Sequence, residues 1–193
     1  MSAAFSDYQV DELTLRAARG GDLRACERIY RQFQRPAYTL AMRVVHCPDL
    51  AQDVSQEAFI SAFRRLRQYR GDAPFWAWLK RVIVNHAISA LRRQPQAELV
   101  TFDDYRASVP GEQDGIGAAM DLETALQQLG RQDRAIVWLH DVEGYKHEEI
   151  ADMFGKTTSF SKTRLARARS RLRLLISPDD TAVGVLAQEQ AKP

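Results

Sequence analysis

Apolar residues recur at steps of three and four along most of the chain, which is the spacing that places side chains on one face of an α-helix. The longest such stripe is an i, i+4 series from Leu50 through Val54, Ala58 and Ala62 to Leu66, and it is typical of a helix that packs against a core. No stretch alternates apolar and polar residues for long enough to suggest a β-strand. The pattern therefore predicts an all-α protein.

Capping residues and prolines divide this pattern into helices. Two helices are predicted between residues 11 and 33, separated at Gly20–Gly21, with Asp22 as the N-cap of the second. Pro36 is expected to open a third helix in its first turn, because proline is tolerated there and disruptive further in. Pro48 is expected to open the helix that carries the long stripe.

The character of the sequence changes after the first set of helices. The helix that follows a loop at residues 69–74 is predicted to end near Arg92 and Arg93. Prolines and glycines then interrupt any periodicity, and acidic residues outnumber the single Arg106, which indicates a flexible acidic linker. Short amphipathic helices resume beyond it. The predicted organisation is a first helical domain at residues 1–94, a linker at 95–119, a second small helical domain at 120–177 and a tail at 178–193.

Composition narrows the class of protein. The chain of 193 residues has a net charge of only +2, so any affinity for nucleic acid must come from the distribution of charge. No apolar run approaches the roughly 18 to 20 residues of a membrane span, and the first residues lack the basic and then apolar order of an export signal. We therefore expect a cytoplasmic protein without membrane insertion. Its two cysteines, Cys26 and Cys47, are expected to be reduced and to pack as small apolar side chains.

A helix-turn-helix is predicted in the second domain. Ala151 precedes Gly155 by four positions in a short helix; the small residue lets a second helix cross closely, and the glycine supplies the positive φ of a tight turn. A hydroxyl of Thr157, Thr158 or Ser159 can cap the next helix. That helix has an apolar side, and the rest of its surface carries basic residues that suit phosphate binding. A run of basic residues without a turn motif before it would more often be a solvated helix face. Its basic residues are Lys162, Arg164, Arg167, Arg169, Arg171 and Arg173.

These segments resemble the extracytoplasmic-function sigma factors of the sigma-70 family. The turn motif at 144–155 and the basic segment at 162–169 are similar to that family's promoter-binding region four. Residues 53–59 are similar to its region two helix, and the segments at 69–79 and 85–93 to its promoter-opening part. The resemblance extends from about residue 22 to 175 in the family's order, and several motifs in order are a stronger signal than one.

The resemblance implies a dissociable subunit of RNA polymerase that selects promoters, helps to melt them and is not itself an enzyme. Core RNA polymerase, through the clamp helices of its largest subunit and its flap, and promoter DNA are the implied partners; no cofactor is implied. An anti-sigma factor is a further implied partner, because family members are often held inactive by one. The acidic linker would either thread the polymerase cleft in place of RNA or serve as an inert spacer, and both alternatives stay open.

The family pattern also assigns roles to residues. The helix from Asp49 to Arg67 would dock on the polymerase clamp. The residues nearest that contact would be Asp53, Gln56 and Glu57. The loop at 69–75 would receive a base flipped from the −10 element, since a base can be read in a pocket only after it leaves the stack; Trp78 taken alone is more typical of core packing. The predicted −10 residues are Tyr69, Arg70, Gly71, Asp72, Phe75, Trp78, Asn85, Arg92 and Arg93. The predicted −35 residues are His147, Glu148, Ser159, Phe160, Lys162, Thr163, Arg164 and Arg167.

Two segments depart from the family pattern. Family members commonly have Gly-Thr-Val where this chain has Ser159-Phe160-Ser161, so a hydroxyl stands where a core valine is expected. Either the helix is rotated or Phe160 packs differently. Residues 50–53 are also less acidic than is usual, which suggests conditional docking strengthened by a regulatory kinase that phosphorylates Ser55 or a nearby hydroxyl.

Two other classes of function fit the sequence less well. A free-standing helix-turn-helix regulator would have no reason to carry the region-two set around Gln56, Trp78 and Asn85. An enzyme or metal protein is disfavoured because the cysteines and the four histidines show no paired metal-ligand spacing, and no phosphate-binding glycine motif or nucleophile elbow occurs.

Overall fold

A computed structural model describes residues 9–93 and 122–176. The chain divides into two compact units, residues 1–94 and 95–193. Every regular element in the described ranges is helical, which confirms the all-α prediction. The predicted acidic linker and the tail lie outside the described residues. No helix in the described ranges is long and apolar enough to cross a bilayer.

The first unit consists of four α-helices. They are α1 (Glu12–Arg19), α2 (Leu23–Val45), α3 (Pro48–Arg64) and α4 (Phe75–Arg93), with a 3-10 turn at Leu66–Gln68 after α3. The carboxylates of Asp11 and Asp22 accept hydrogen bonds from the backbone N–H groups of Thr14 and Arg24 at 2.8 and 2.9 Å. The predicted break at Gly20–Gly21 and the predicted Asp22 cap are therefore confirmed.

The prediction that Pro36 opens a helix is wrong. α2 continues through Pro36 without a break from Leu23 to Val45. An interior proline removes a hydrogen bond and costs about 3 kcal/mol in an isolated helix. The apolar face explains why the helix continues: Phe33 and Ala37, on either side of the proline, are fully buried in the same core. Tertiary packing therefore outweighs the local preference.

The helix predicted from Asp49 to Arg67 is three residues shorter at its C-terminal end. α3 ends at Arg64, and the chain tightens into the 3-10 turn that carries the buried Leu66. Short 3-10 turns are frequent at helix ends. The turn directs the chain into the loop at 69–74, so it sets where that loop starts.

The second unit is a smaller helical domain. Its described helices are α5 (Leu122–Gln127), α6 (Arg131–Val137), α7 (His147–Phe154) and α8 (Thr158–Ile176), and α6 continues as a π-helical turn at Trp138–Val142. Ile136, Leu139 and Ile150 are fully buried, and Leu165 and Ala168 of α8 close the core over them. The buried side of α8 leaves its remaining surface to the basic residues.

Candidate nucleic-acid interface

The turn between α7 and α8 has the predicted geometry. Gly155 has a φ of 62°, in the left-handed region that a side chain disfavours, and Ala151 is buried beneath the crossing helix. The Thr157 hydroxyl accepts a hydrogen bond from the Phe160 N–H at 3.3 Å, so Thr157 is the cap among the three hydroxyls considered. The carboxylate of Glu149 accepts a hydrogen bond from the Lys146 N–H at 3.0 Å and fixes the start of α7.

The eight predicted −35 residues do not share one environment. Five of them have exposed side chains, and three are half-buried. The exposed residues are Glu148, Ser159, Lys162, Thr163 and Arg167. The half-buried residues are His147, Phe160 and Arg164.

Arg164 is engaged inside the domain. Its guanidinium donates to the Asp133 carboxylate at 2.9 Å and lies 5.2 Å from the ring centre of Phe160. Phe160 in turn packs against Phe154, with ring centroids 5.9 Å apart. Arg169 pairs in the same way with Asp141, at 2.5 Å. Two of the basic residues of α8 therefore tie the helix to α6 and to the π-helical turn.

The burial of Ser161 shows how the chain accommodates its departure from the family pattern at Ser159-Phe160-Ser161. Ser161 has no exposed surface, so position 161 faces the interior as the family pattern expects and the helix is not rotated. Phe160 lies at the side of the core instead, between Phe154 and Arg164. Of the two alternatives, different packing of Phe160 is correct.

A cluster of polar side chains joins α7, α8 and the π-helical turn. The Ser161 hydroxyl lies 3.0 Å from His147 Nδ1, and the His140 and His147 rings are 4.4 Å apart. Burial lowers the pKa of His147, and the neighbouring His140 and Lys162 lower it further. Burial alone would raise the pKa of the Asp141 carboxyl, but hydrogen bonds from Arg169 and His140 outweigh burial and hold it below its ordinary value.

The predicted −10 loop in the first unit is organised by aromatic side chains. Tyr69 is 8% exposed and Phe75 is 3% exposed, and the two rings pack edge to face at 5.5 Å. The Tyr69 hydroxyl donates to the Ala73 carbonyl at 2.7 Å and closes the loop on itself, while burial raises the pKa of the phenol and keeps its proton in place. Trp78 is half-buried against both rings. Tyr69 and Phe75 thus pack beneath the loop in this structure, and little of either side chain is exposed.

The surface left for a ligand is polar. Arg70, Gly71 and Asp72 at the tip of the loop are exposed, and Gly71 has a φ of 88° with open space around it. On α4, Asn85 and Arg92 are exposed on one helical face, seven residues apart; Arg93 is exposed beside them, with Nε 3.3 Å from the Ser89 carbonyl.

Two basic residues at this surface were missed by the sequence analysis. Arg81 is exposed on the α4 face that carries Asn85 and Arg92, and its i, i+4 spacing to Asn85 could have revealed it. Arg19 of α1 donates through Nη2 to the Tyr69 carbonyl at 2.7 Å, and its guanidinium lies 5.6 Å from the Tyr69 ring centre. No sequence signal links Arg19 to the loop, because fifty residues separate the two.

The predicted polymerase-binding residues lie on one exposed face of α3. Asp53, Gln56 and Glu57 are exposed, and Ile60 continues the face as an apolar side chain that is 52% exposed. Next to it, a groove of about 490 Å³ between α2 and α3 includes Gln56 in its lining. Ser55 also lines this groove, but little of it is exposed, and its hydroxyl is engaged by the Gln52 carbonyl, to which it donates at 2.9 Å.

No group of three or more metal-ligating side chains occurs within the described ranges. The cysteines in those ranges, Cys26 and Cys47, are free thiols with half-buried side chains, and burial raises the pKa of the Cys26 thiol. The described residues therefore offer polar and basic surfaces and no metal site.

Comparison with known proteins covers both units. The family model described as Sigma-70 region 2 matches residues 29–96, and that described as Sigma-70, region 4 matches residues 119–172. The RNA polymerase sigma-H factor of Pseudomonas aeruginosa is 30% identical over 87% of this chain and 94% of its own length. The ECF RNA polymerase sigma factor SigM of Mycobacterium tuberculosis is 31% identical over 91% of this chain and 89% of its own.

A solved structure supports the fold. The sigma factor RpoE of Bartonella quintana, crystallised with the anti-sigma factor NepR, is 23% identical to this chain. The match covers 79% of this chain and 97% of that one, with a TM-score of 0.51.

Proposed function

Because the chain belongs to the extracytoplasmic-function branch of the sigma-70 family, we propose that its two units contact a promoter at two points while it is docked on core RNA polymerase. The chain is a sigma factor, a transcription initiation factor that directs the polymerase to promoters. The match to region 2 leaves the free-standing regulator without support. We infer that its contribution to initiation is binding rather than catalysis.

The observation that carries the two-point proposal is that each unit has its own exposed basic surface. In the second unit this surface is on α8 and includes Lys162 and Arg167. The second helix of such a motif lies in the major groove, where Lys and Arg favour guanine edges. We assign Lys162, Thr163 and Arg167 to the −35 element, and we assign Arg164 to orienting α8, since its guanidinium is occupied by Asp133.

In the first unit the proposed −10 surface combines the loop tip with α4. Arg70, Gly71 and Asp72 would receive the flipped base, and Tyr69 and Phe75 would hold the loop open for it. Arg81, Asn85 and Arg92 would follow the phosphates of the opened strand. Basic and polar groups along such a groove supply the sequence-independent part of single-strand binding.

Docking on the polymerase is assigned to the exposed face of α3. Asp53, Gln56 and Glu57 would meet the clamp helices of the largest subunit, and the exposed Ile60 adds apolar surface that a partner can bury. A regulatory kinase would need a hydroxyl other than Ser55. Thr39, which is exposed and lines the neighbouring groove, is the more accessible candidate.

We also propose that an anti-sigma factor covers these docking surfaces until a signal releases it. We place this activity with the polymerase in the cytoplasm, in a stress or envelope response. Support for the anti-sigma partner comes from the solved relative, which was crystallised with such a protein.

The two contacts can be separated by experiment. Holoenzyme with Arg167→Ala should bind a promoter fragment more weakly, and pre-opening the −10 region as a mismatched bubble should not restore its upstream contact. Holoenzyme with Arg81→Ala and Arg92→Ala should fail mainly at opening, so the bubble should restore most of its activity. Arg24→Ala removes an exposed charge from α2 and serves as the control. Equal effects of all variants on both templates would contradict the assignment.

A further inference from the structure

The Ser161 side chain is a fully buried polar group at the crossing of α7 and α8. Its exposure is 0%, and its hydroxyl lies 3.0 Å from His147 Nδ1. In the described part of the chain, the hydrogen-bond partner of the Ser161 hydroxyl is His147 Nδ1. A buried hydroxyl needs an acceptor for its proton, because an unpaired polar group in a core is costly.

A neutral His147 meets that requirement in one of its two tautomers. Nδ1 can accept a hydrogen bond only when it carries no proton, so the Ser161 hydroxyl donates to it when the ring is neutral and the ring proton is on Nε2. The opposite tautomer, or a charged imidazolium, would turn Nδ1 into a donor. The Ser161 proton would then lose this acceptor and would have to turn to a backbone carbonyl of the preceding helical turn.

The surroundings of His147 favour the neutral ring over the charged one. Lys162 and Arg169 of α8 place positive charge near the ring, and His140 of the π-helical turn lies against it; Glu148 on α7 is the group that opposes them. Burial and these cations disfavour an added proton. His140 itself is hydrogen-bonded through Nδ1 to Asp141 at 3.0 Å, so that carboxylate is directed to His140 and Arg169 rather than to His147.

We propose that Ser161 is a positioning residue that holds His147 as a neutral imidazole protonated on Nε2, so that His147 donates a hydrogen bond to the promoter. The proposal rests on the proposed −35 function of this unit. The acceptor is a phosphate oxygen, because His147 is the first residue of α7 and the first helix of a helix-turn-helix crosses the DNA backbone.

A neutral donor has a distinctive signature in salt titrations. Each cation that neutralises a phosphate contributes about one unit to the slope of log affinity against log salt concentration, whereas a neutral donor contributes none. At pH 7.5, His147→Ala should therefore weaken promoter binding by holoenzyme about 2- to 10-fold, the usual worth of one hydrogen bond, with an unchanged slope. Arg167→Ala, the matched cation, should lower the slope.

The role of Ser161 is tested with a pair of variants of equal shape. Ser161→Thr retains the hydroxyl, and Ser161→Val replaces it with a methyl group. Nitrogen-15 NMR of the His147 ring in the free, full-length protein at pH 7.5 should show the proton on Nε2 in the wild type and in Ser161→Thr. Ser161→Val should show a mixture of tautomers. Thermal unfolding of both variants separates this readout from a loss of fold.

The coupling to DNA is tested in a double-mutant cycle. Ser161→Val should weaken promoter binding relative to Ser161→Thr, and this difference should vanish when His147 is already alanine. A proton on Nδ1 in the wild type, the same tautomer in both variants, or an equal Ser161 effect without His147 would each overturn the inference. Wild-type holoenzyme that binds no promoter would instead overturn the proposed function, while the NMR result concerns the free protein alone.

Discussion

Arg19 offers a direct test of how the −10 loop is held. Arg19→Met removes the guanidinium that donates to the Tyr69 carbonyl and lies over the Tyr69 ring, and it keeps an unbranched side chain along the same path. Arg16→Met is the matched control, because Arg16 is on the same helix with an exposed side chain. The two variants change charge and length equally. Arg19 differs from Arg16 in its contacts with the loop and in a long ion pair with Glu12.

The size of the effect follows from two contacts. A hydrogen bond from a charged donor contributes about 1.5–3 kcal/mol, and a cation over an aromatic ring adds about 0.5–1 kcal/mol at a partly exposed site. The ion pair of Arg19 with Glu12 at 3.6 Å adds little, since the Glu12 side chain is 63% exposed. We therefore expect Arg19→Met to destabilise the first unit by about 2–4 kcal/mol and Arg16→Met by less than about 0.5 kcal/mol.

Urea unfolding measures this difference. A Trp138→Phe background confines the fluorescence signal to Trp76 and Trp78 of the first unit. Promoter opening by holoenzyme, followed by permanganate reactivity of −10 thymines, should fall with Arg19→Met at temperatures where the protein is still folded, because a loop can loosen locally before the domain unfolds. Equal stability and equal opening in the two variants would refute the role of Arg19.

Three further predictions concern single groups. Arg167→Ala should weaken promoter binding and lower the salt slope by about one without loss of stability, whereas Arg164→Ala should lower the melting temperature of the second unit; the reverse result would exchange their roles. Tyr69→Phe removes the hydroxyl that donates to the Ala73 carbonyl and should cost about 1 kcal/mol in urea unfolding, with a loss of promoter opening; unchanged opening would contradict a support role. Because the pKa of His147 is lowered in the folded state, the unfolded chain takes up the proton first, near pH 6.5. The second unit should lose stability as the pH falls from about 7 through the lower folded pKa, and His147→Gln should remove that dependence.

Local signals in the sequence predicted one helix start and one helix end. The Asp22 carboxylate and the glycine at 155 act within four residues of the groups they satisfy, so their effect can be inferred from spacing alone. Pro36 shows the limit of this approach. Its local cost is outweighed by burial of Phe33 and Ala37 against other helices, which no local pattern reports.

The sequence predicted the segments and residues of the candidate site, but not which of those residues are buried. Arg167 and the loop tip are exposed, whereas Arg164 is half-buried and Tyr69 is buried. Exposure depends on packing partners that are distant in sequence. Asp133 precedes Arg164 by 31 residues, and Arg19 precedes Tyr69 by 50. Contacts at such separations arise only from the tertiary fold.

If this chain turns core RNA polymerase into a promoter-specific enzyme, the two together should initiate transcription at defined sites. Transcription in vitro with purified core polymerase and the full-length protein, with start sites mapped across genomic DNA, measures this. We expect start sites that share −35 and −10 elements and that are lost with core polymerase alone. Absence of any specific initiation, with the protein folded and bound to core, would contradict this expectation.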